Sequence, residues 1–401
     1  MANVSSSNGL EKRPKLRFPG FDEPWEICTA EELFQNVTDK NHPDETVLTI
    51  VQGKGTLPRE QAGRNIHYDD ASLSNYKMVQ KGDFIIHLRS FEGGLEMANE
   101  NGIVSPAYTI LRGKKPHSSR FYEAYFHTDE FVNHVLSKSV EGIRDGRQIS
   151  YDAFKWLGLP YCSPSEQAKI AELFSVLTKR IEKQTVLVDS LKKYKRGVVR
   201  SLLSPEDCKL KNAQWSRDTM GNLGSFIKGA PLSKADISKT GTPFILYGEL
   251  YTTYHEVITS VVRKTESEVD SVYRSIVGDV LIPTSGETPE EISTASCVML
   301  PGVILAGDLN IFRSSKVDGR IMSYILNHIV NGSIARVAQG KSIVHVQASE
   351  IAKIEISYPD PETQDRIVGV LEAISSRVEY CEKELDNLTR LRSSLLQQLF
   401  I

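Results

Sequence analysis

The chain has 401 residues, 40% of them hydrophobic and 25% charged, which is typical of a soluble globular protein and favours two or three domains. Its net charge of −3 at pH 7 argues against a uniformly basic nucleic-acid binder but leaves room for local basic patches. No apolar run reaches the length of a membrane span, and the polar start lacks the core of a signal peptide, so we expect a cytoplasmic protein. Five scattered cysteines, none in a C-x-x-C pair, indicate neither a disulfide framework nor a metal site.

The first 160 residues predict a mixed domain behind a polar tail at 1–14. Helical spacing predicts helices at 30–36 and 120–138. Apolar and β-branched runs predict strands at 47–51, 82–88, 104–111 and 156–159. Polar, glycine-containing loops follow at 89–101 and 142–148.

A heptad seam then runs through 164–203, with apolar residues at alternating steps of four and three. The same seam recurs 197 residues later, and each copy opens with a proline followed three residues on by Gln167 or Gln364. Basic residues at Lys195 and Arg392 interrupt both copies at the same position, and we interpret them as fixing the register. The seam residues are Ile170, Leu177, Ile181, Val188 and Leu191 in the first helix, and Ile374, Val378, Leu385, Leu388 and Leu395 in the second.

Each helix would be roughly 55–60 Å long, and one exposed apolar stripe would leave it unstable alone. The first carries nine Lys or Arg and four Asp or Glu, whereas the second carries five and seven. The opposite net charges favour pairing of the two helices with each other. The alternative is two amphipathic helices, each buried on its own domain.

The second half of the sequence repeats the order of the first. Trp215 corresponds to Trp25, a strand at 278–282 to the one at 82–88, a strand at 303–312 to the one at 104–111, and a helix at 320–330 to 120–138. The chain is therefore an internal duplication of globular part and long helix. The predicted division is a first domain at 1–160, a spacer helix at 161–205, a second domain at 206–358 and a second spacer helix at 359–401.

Catalytic motifs are absent or incomplete. Gly340-Lys341-Ser342 resembles the end of a phosphate-binding loop, but Ala335 stands where the first glycine is required. The segment 105–108 is similar to the motif of amino-methyltransferases but lacks its second proline, and no glycine-rich cofactor turn accompanies it. The sequence predicts a binding protein rather than a catalyst.

The whole layout resembles the specificity subunit of type I restriction–modification systems. The resemblance rests on both long helices and on the segments 15–21 with Trp25, 93–95, 104–108, 145–150, 247–251, 285–288 and 307–310. It implies an α/β (α+β) fold class in which two globular target recognition domains are separated by a long antiparallel two-helix coiled coil, with an internal pseudo-two-fold duplication. Each domain would read one half of an asymmetric bipartite DNA site, and the helices would fix the gap.

The resemblance also implies partners. These are double-stranded DNA, two modification subunits docked on the helices and, in the full complex, two restriction subunits, with no role for a membrane. No cofactor is expected in this chain, because S-adenosylmethionine, ATP and Mg would serve the partner subunits. The chain itself would be a non-catalytic part of a bacterial defence system.

Polar loop residues are the candidates for DNA contact, since loops on a rigid scaffold carry specificity. Arg and Lys suit phosphates or guanine, Gln suits adenine and Glu suits cytosine; any single one could instead be a solvated loop residue. The candidates are Arg89, Ser90, Glu92, Arg144, Arg147 and Gln148 in the first domain, and Ser233, Lys234, Thr284, Ser285, Glu287, Arg336, Gln339, Lys341 and Ser342 in the second.

Two other functions stay open on the sequence alone. One is a degenerate DNA methyltransferase built on the segment 105–108, which methyl transfer by the purified chain would reveal. The other is a coiled-coil adaptor without a DNA role, which salt-dependent DNA binding by the assembled complex would exclude.

Overall fold

A computed structural model describes residues 14–61, 70–142, 147–208, 210–337 and 344–400. Residue contacts divide the chain into two compact units. Unit 1 comprises Met1–Thr185 and Lys383–Ile401, and unit 2 comprises Val186–Glu382. Each unit therefore holds one globular part and one half of each long helix, whereas the predicted division at 160, 205 and 358 stays a prediction.

The first half of the chain alternates short strands with short helices before the first long helix. Its elements are β1 (Glu26–Thr29), α1 (Ala30–Leu33), β2 (Phe34–Val37), β3 (Leu48–Val51), β4 (Gly55–Pro58), β5 (Lys77–Val79), β6 (Phe84–Ile86), α2 (Ser90–Gly93), β7 (Glu96–Met97), β8 (Gly102–Val104), β9 (Thr109–Gly113), α3 (Ser119–Phe126), β10 (Val140–Glu141), β11 (Gln148–Ile149), α4 (Tyr151–Phe154), β12 (Gly158–Tyr161) and α5 (Pro164–Leu203).

The second half follows a similar order. Its elements are β13 (Trp215–Thr219), α6 (Met220–Leu223), β14 (Gly224–Lys228), β15 (Thr242–Leu246), α7 (Glu249–Thr252), β16 (Val257–Ile258), β17 (Arg263–Thr265), β18 (Asp279–Pro283), β19 (Ser285–Gly286), α8 (Pro289–Ile292), β20 (Ser296–Val298), β21 (Ile304–Ala306), β22 (Leu309–Ser314), α9 (Gly319–His328), α10 (Asn331–Val337), β23 (Val344–His345), α11 (Ala348–Ile351), β24 (Glu355–Pro359) and α12 (Pro361–Phe400). None of these described helices is long and apolar enough to cross a membrane.

The two long helices begin with the same cap. Ser163 and Asp360 precede the first proline, and their side chains accept a hydrogen bond from the backbone N–H of Glu166 (3.3 Å) and Thr363 (3.1 Å). Such a cap satisfies one of the N–H groups that a helix start leaves without a partner and stabilises the helix by about 1 kcal/mol. Asp360 also accepts a hydrogen bond from the Gln214 N–H, and these bonds lower its pKa to about 2.

The pairing of the long helices is confirmed in both units. In unit 1, Phe174 of α5 stacks on Phe400 of α12, with 6.1 Å between ring centroids, and Arg180 pairs with Glu384 at 2.8 Å. In unit 2, Lys192 pairs with Glu382 at 2.6 Å. Residue numbers fall along α12 as they rise along α5, so the pair is antiparallel, with cations from the basic helix and carboxylates from the acidic one. Each of the ten predicted seam residues is buried or half-buried.

The sheets repeat as well. Unit 1 has an antiparallel sheet of order β2-β9-β6-β7, and unit 2 has the same order in β14-β22-β18-β20, with β16 added in parallel. In both units the first strand pairs antiparallel with the strand that leads into a long helix, as β1 with β12 and β13 with β24. Glu26 lies opposite Tyr161 and Ser216 opposite Tyr358, so Trp25 and Trp215 occupy equivalent positions as predicted.

Hydrogen bonds at the helix starts are duplicated too. The buried Gln167 amide donates to the Cys162 carbonyl (2.9 Å) and accepts from the Ser118 N–H (2.9 Å). In the second copy, Gln364 donates to the Pro359 carbonyl (2.8 Å) and accepts from the Asp318 N–H (2.7 Å). Each glutamine thus ties the long helix to the preceding strand and to the start of α3 or α9.

An ion pair with a buried aspartate is also repeated in each sheet. Asp83 pairs with Arg112 at 2.7 Å, and Asp279 pairs with Arg313 at 2.8 Å. The preceding glycine has a positive φ in both copies, +94° at Gly82 and +95° in the second, a conformation that favours glycine. The Gly-Asp pair at the start of these strands is therefore the same structural feature in both units.

Two predicted strands, 104–111 and 303–312, are each divided in the structure. The first becomes β8 and β9 around a turn in which the Tyr108 N–H donates to the Ser105 carbonyl (3.1 Å), and the second becomes β21 and β22 around Gly307, whose φ is +75°. The division has one cause in both units, because the chain changes sheets there. β8 pairs with β5 and β9 with β6, while β21 pairs with β15 and β22 with β18.

The predicted helix at 120–138 is wrong in length. Its first turns form α3, but the chain then turns at Thr128, continues as a π-helix at Glu130–Val135 and ends in a 3₁₀ turn. The Thr128 hydroxyl donates to the Tyr125 carbonyl (2.7 Å) and accepts from the Phe131 N–H (3.1 Å), which replaces bonds of a continuous helix. The counterpart predicted at 320–330 is confirmed as α9.

Two smaller predictions in unit 1 also needed correction. The predicted helix at 30–36 ends at Leu33, because Phe34 to Val37 pairs with β9 instead. The predicted loop at 89–101 contains the short helix α2 and the strand β7. The early end of α1 and the presence of β7 both arise from sheet pairing, which local spacing does not encode.

Candidate nucleic-acid interface

In unit 1 the two predicted DNA-contacting loops lie together. Helix α2 contacts strand β11, and the Arg147 guanidinium lies 4.7 Å from the centroid of the Phe91 ring. Arg89 is 74% exposed and forms a loose ion pair with Glu92 at 3.8 Å. Arg147 and Gln148 are exposed as well, so the unit presents two guanidinium groups and an amide on one small surface.

Ser90 differs from its neighbours, because its side chain is fully buried. Its hydroxyl accepts a hydrogen bond from the His87 N–H at 2.9 Å, and this bond shapes the entry into α2. The serine therefore supports the loop from beneath. Burial lowers the pKa of His87, so its ring is uncharged at neutral pH.

In unit 2 the segment that carries Thr284 and Ser285 is held by a short sheet. Strand β19 pairs with β23, so that Ser285 lies opposite His345. The Ser285 hydroxyl donates to the Asp308 carboxylate (2.9 Å), and Thr284 is held by backbone bonds to Asp308 and Val346. Ser285 is only 5% exposed, while Thr284 is half-buried at the edge of the surface.

Further predicted residues lie on exposed segments of unit 2. Ser233 caps a 3₁₀ turn by a reciprocal bond with Asp236, which leaves the Lys234 side chain exposed. Glu287 and Arg336 are exposed, and Arg336 donates to the Gly332 carbonyl of its own helix (3.0 Å). The remaining candidates lie outside the described residues: Arg144, Gln339, Lys341 and Ser342.

Sequence reasoning missed four polar residues beside this surface: Lys228, Asn310, His345 and Gln347. They line a groove next to Thr284. One of them carried a readable signal, because Asn310 interrupts the apolar run of β22 and is only 1% exposed. A buried amide in a strand core signals a specific hydrogen bond or a specific contact.

Each globular part also carries a buried imidazole–carboxylate pair at the end of its main helix. In unit 2, Glu256 accepts hydrogen bonds from Lys195 of α5 (2.7 Å) and pairs with His328 (2.8 Å). Burial alone would raise the pKa of Glu256, but the bonds with His328 and Lys195 outweigh it and lower the pKa to about 2. Lys195 therefore binds a carboxylate of the globular part, while its role in fixing the helix register stays a prediction.

The equivalent pair in unit 1 uses a carboxylate from another strand. His127 pairs with Glu96 at 3.2 Å, and Glu96 also accepts from the backbone N–H groups of Gly53 (2.6 Å) and Gly55 (2.8 Å). Burial would lower the pKa of His127, yet the bond to Glu96 raises it. Arg392 lines a cavity beside His127, at the position that repeats Lys195.

The segment 105–108 shows no arrangement suited to methyl transfer. It forms the turn between β8 and β9, and Tyr108 packs against a core of aliphatic residues. Among the described residues, no group of three or more His, Cys, Asp or Glu could hold a metal ion.

Solved structures resemble the chain over almost its whole length. A type I restriction-modification system S subunit from M. genitalium is 15% identical, with 97% of this chain and 99% of that chain covered and a TM-score of 0.62. The chain has the fold of that S subunit. A structure described as the basis of complex assembly and conformational transition of the type I R-M system is 15% identical, with 96% and 99% covered and a TM-score of 0.54.

An HsdS subunit from Thermoanaerobacter tengcongensis aligns with a TM-score of 0.45 at 15% identity, over 97% of this chain and 99% of that one. No protein-family model matches the sequence, and no curated protein does.

Proposed function

We propose that the chain is the DNA-specificity subunit of a type I restriction–modification complex, in which each unit reads one half of an asymmetric bipartite target. The observation that carries this proposal is the combination of the S-subunit fold with two equivalent frames whose surface residues differ. Two units with the same sheet order but different surface side chains suit recognition of two different half-sites. Bases are distinguished by the hydrogen-bond donors and acceptors that face them.

The exposed residues of unit 1 fit such a reader. Arg89 and Arg147 supply donors for phosphate or guanine, and Gln148 supplies an amide of the kind that pairs with adenine. The Phe91 ring beneath Arg147 restricts the guanidinium to a narrow range of positions, which reduces the entropy lost on binding. The paired long helices would hold the gap between the two half-sites constant.

The long helices would also dock the two modification subunits. Large apolar side chains on their surfaces remain exposed, including Tyr194 at 60% and Leu391 at 47%. These two residues are 197 positions apart and therefore occupy the same place in the repeat. Exposed apolar side chains at equivalent positions of both helices suit two copies of one partner, since each copy can bind the equivalent helix surface.

In this proposal the chain itself is not an enzyme. Methylation with S-adenosylmethionine, and ATP- and Mg-dependent translocation, would belong to the partner subunits in the cytoplasm. The turn at 105–108 supports this, because its tyrosine is used for packing and its serine for the turn itself. Methyl transfer by the purified chain without partners would contradict it.

The test is an exchange of residues 1–160 with those of a relative that has a different target. The hybrid and the original chain are each expressed with the modification subunit, and the methylated adenines are mapped across the genome. We expect one half of the recognised sequence to change and the other half and the gap to stay constant. A change in both halves, or in neither, would contradict the modular reading.

The adaptor alternative makes a different prediction in solution. A coiled-coil adaptor without a DNA role would leave the DNA affinity of the complex independent of this chain's basic residues. Salt-dependent binding that weakens when those residues are removed excludes the adaptor, because phosphate contacts release counterions.

A further inference from the structure

An open groove crosses the surface of unit 2. It lies between the end of β14, the turn joining β21 to β22 and the segment that follows β23, and its volume is about 1000 Å³. That volume is at the upper end of the roughly 300–1,000 Å³ typical of small-molecule pockets. An open groove of this size suits part of an extended partner. The polar residues that line it are Lys228, Thr284, Asp308, Asn310, His345 and Gln347.

The floor of the groove is backbone. A Cβ at Gly229 would lie 2.8 Å from the carbonyl oxygen of Gly307, so only glycine allows the two segments to come this close. Their polar groups are satisfied by each other, since Gly229 N–H donates to the Leu309 carbonyl (3.0 Å) and Gly307 N–H to the Ala230 carbonyl (2.8 Å). The floor therefore has no need of a ligand, and recognition falls to the side chains on the rim.

The rim offers both donors and acceptors. Lys228, His345 and Gln347 are exposed, and their side chains form no hydrogen bond or ion pair with any residue in the described part of the chain. Asn310 lies deeper, with its amide nitrogen 3.5 Å from the Val346 carbonyl. One Asp308 oxygen holds Ser285, which fixes the adjacent strand β19.

The charge of the rim indicates whether it would contact DNA phosphates or base edges. Among the described residues that line it, one lysine and one aspartate balance each other beside a histidine and neutral amide and hydroxyl groups. Phosphate contacts require a surplus of cations, whereas base edges present alternating donors and acceptors. The composition of the rim favours base edges.

The equivalent positions of unit 1 carry other side chains. Thr109 lies opposite Ile86 in the sheet, just as Asn310 lies opposite Ile282. Ser150 and Gln347 precede the matching helices α4 and α11, so Gln148 and His345, two residues earlier, also correspond. Equivalent positions of the two units thus carry different hydroxyl, amide and imidazole groups.

We propose that this groove is the base-reading site of unit 2, and that Lys228, His345 and Gln347 contact base edges of double-stranded DNA. The proposal rests on the DNA-specificity function and names the residues that carry it in this unit. None of the three lies on the long helices, so partner docking need not depend on them.

The test replaces rim residues by their unit 1 counterparts. His345→Gln and Gln347→Ser are made singly and together, because both positions are exposed and tolerate the change, and Lys228→Ala is added. Matched controls are Gln214→Ser and Lys239→Ala in the same unit, outside the groove. Each variant is expressed with the modification subunit, and methylated adenines are mapped with their rates.

We expect the groove variants to relax or change the bases required in one half of the target, with roughly tenfold or greater loss of discrimination at one position. The other half and the gap should stay constant, and the controls should methylate the original sites. A uniform fall in methylation at all sites, without a change in sequence preference, would overturn base reading in favour of phosphate contact.

The domain exchange separates failure of this proposal from failure of the function. If exchange of residues 1–160 alters one half-site while every groove variant keeps the original target and rate, the specificity function stands and the groove is not its reader. If the exchange itself alters neither half, both proposals are overturned.

Discussion

Unit 1 and unit 2 share a hydrogen-bonded frame but differ in their cores. The core of unit 1 is aromatic, with the rings of Phe34, Phe84 and Phe126 in mutual contact and Phe400 packed against Trp25. The core of unit 2 is mainly aliphatic, built from isoleucine, valine and leucine side chains. The comparison teaches that a few directional bonds define the repeat, while apolar volume can be filled in more than one way.

The same contrast extends to the surface. The sheet order and the glutamine and aspartate bonds are retained, but Gln148 of unit 1 is replaced by His345 in unit 2 and Thr109 by Asn310. The frame therefore presents different polar groups at fixed points. This separation of stability from recognition is what a two-part reader requires, because one half can change without unfolding the other.

The largest expected effect comes from breaking the repeated ion pair. Asp83→Ala and Asp279→Ala each leave a guanidinium partly buried without its carboxylate, so we expect a loss of about 3–5 kcal/mol of unfolding free energy. Hydrogen exchange followed by mass spectrometry reads each unit separately. Each substitution should release protection mainly in its own unit, with the exposed Asp152→Ala as control; equal loss in both units would show that they do not fold as independent repeats.

The second effect is a pH dependence that distinguishes the two buried carboxylates. Because the pKa of Glu256 is lowered from 4.5 to about 2, its stabilisation is present above pH 4.5 and is lost as the pH falls toward 2. Glu256→Gln should remove on the order of 3 kcal/mol at pH 7 and progressively less below pH 4. Unfolding measured between pH 7 and 2 checks this.

Glu96→Gln tests whether the carboxylate–imidazole pair of unit 1 has a different pH dependence from that of unit 2. The pKa of Glu96 is also lowered, whereas that of its partner His127 is raised, so the pair loses stability both as the pH falls through the Glu96 pKa and as it rises through the His127 pKa. Unit 1 should therefore show an upper pH limit near the His127 titration that Glu96→Gln removes. The exposed Glu268→Gln serves as control, and an unchanged pH profile in Glu96→Gln would contradict the assignment.

The sequence predicted the long-range plan better than the local one. The heptad seams and the offset of 197 residues predicted α5, α12 and their pairing, because repeated apolar spacing and opposite charge are readable without coordinates. The divided strands at 104–111 and 303–312 were not predictable, since each break lies where the chain leaves one sheet for another. That partner change depends on residues far away in sequence.

The candidate surface was predicted in part. Loop composition indicated Arg89, Arg147 and Thr284, but the burial of Ser90 beneath its loop depends on packing that composition does not record. The partner of Lys195 was not predictable for a similar reason, because Glu256 belongs to a loop without any helical pattern. The spacing of residues in the sequence predicts the helix or strand on which a residue lies, but not the side chain that it contacts.

A smaller effect is expected from the repeated glutamines. Gln167→Ala and Gln364→Ala each leave a buried carbonyl and a buried N–H without their partner, which should cost about 1–3 kcal/mol. The exposed Gln35→Ala is the control. Similar losses of stability in both variants, measured by thermal unfolding, would support an equivalent role of the two glutamines. A loss in only one variant would show that the same hydrogen-bond geometry does not stabilise both units equally.

The smallest effect on folding, and the most direct on recognition, is expected from Arg147→Ala. Its guanidinium is exposed over Phe91, so the fold should lose no more than about 1 kcal/mol. If Arg147 contacts a phosphate, the affinity of the assembled complex should fall equally for all sequences, and the slope of log K against log salt should decrease by about 0.9. Arg217→Ala, exposed on β13, should leave the slope unchanged. If Arg147→Ala instead relaxes one base of one half-site at a constant slope, the arginine contacts guanine rather than phosphate.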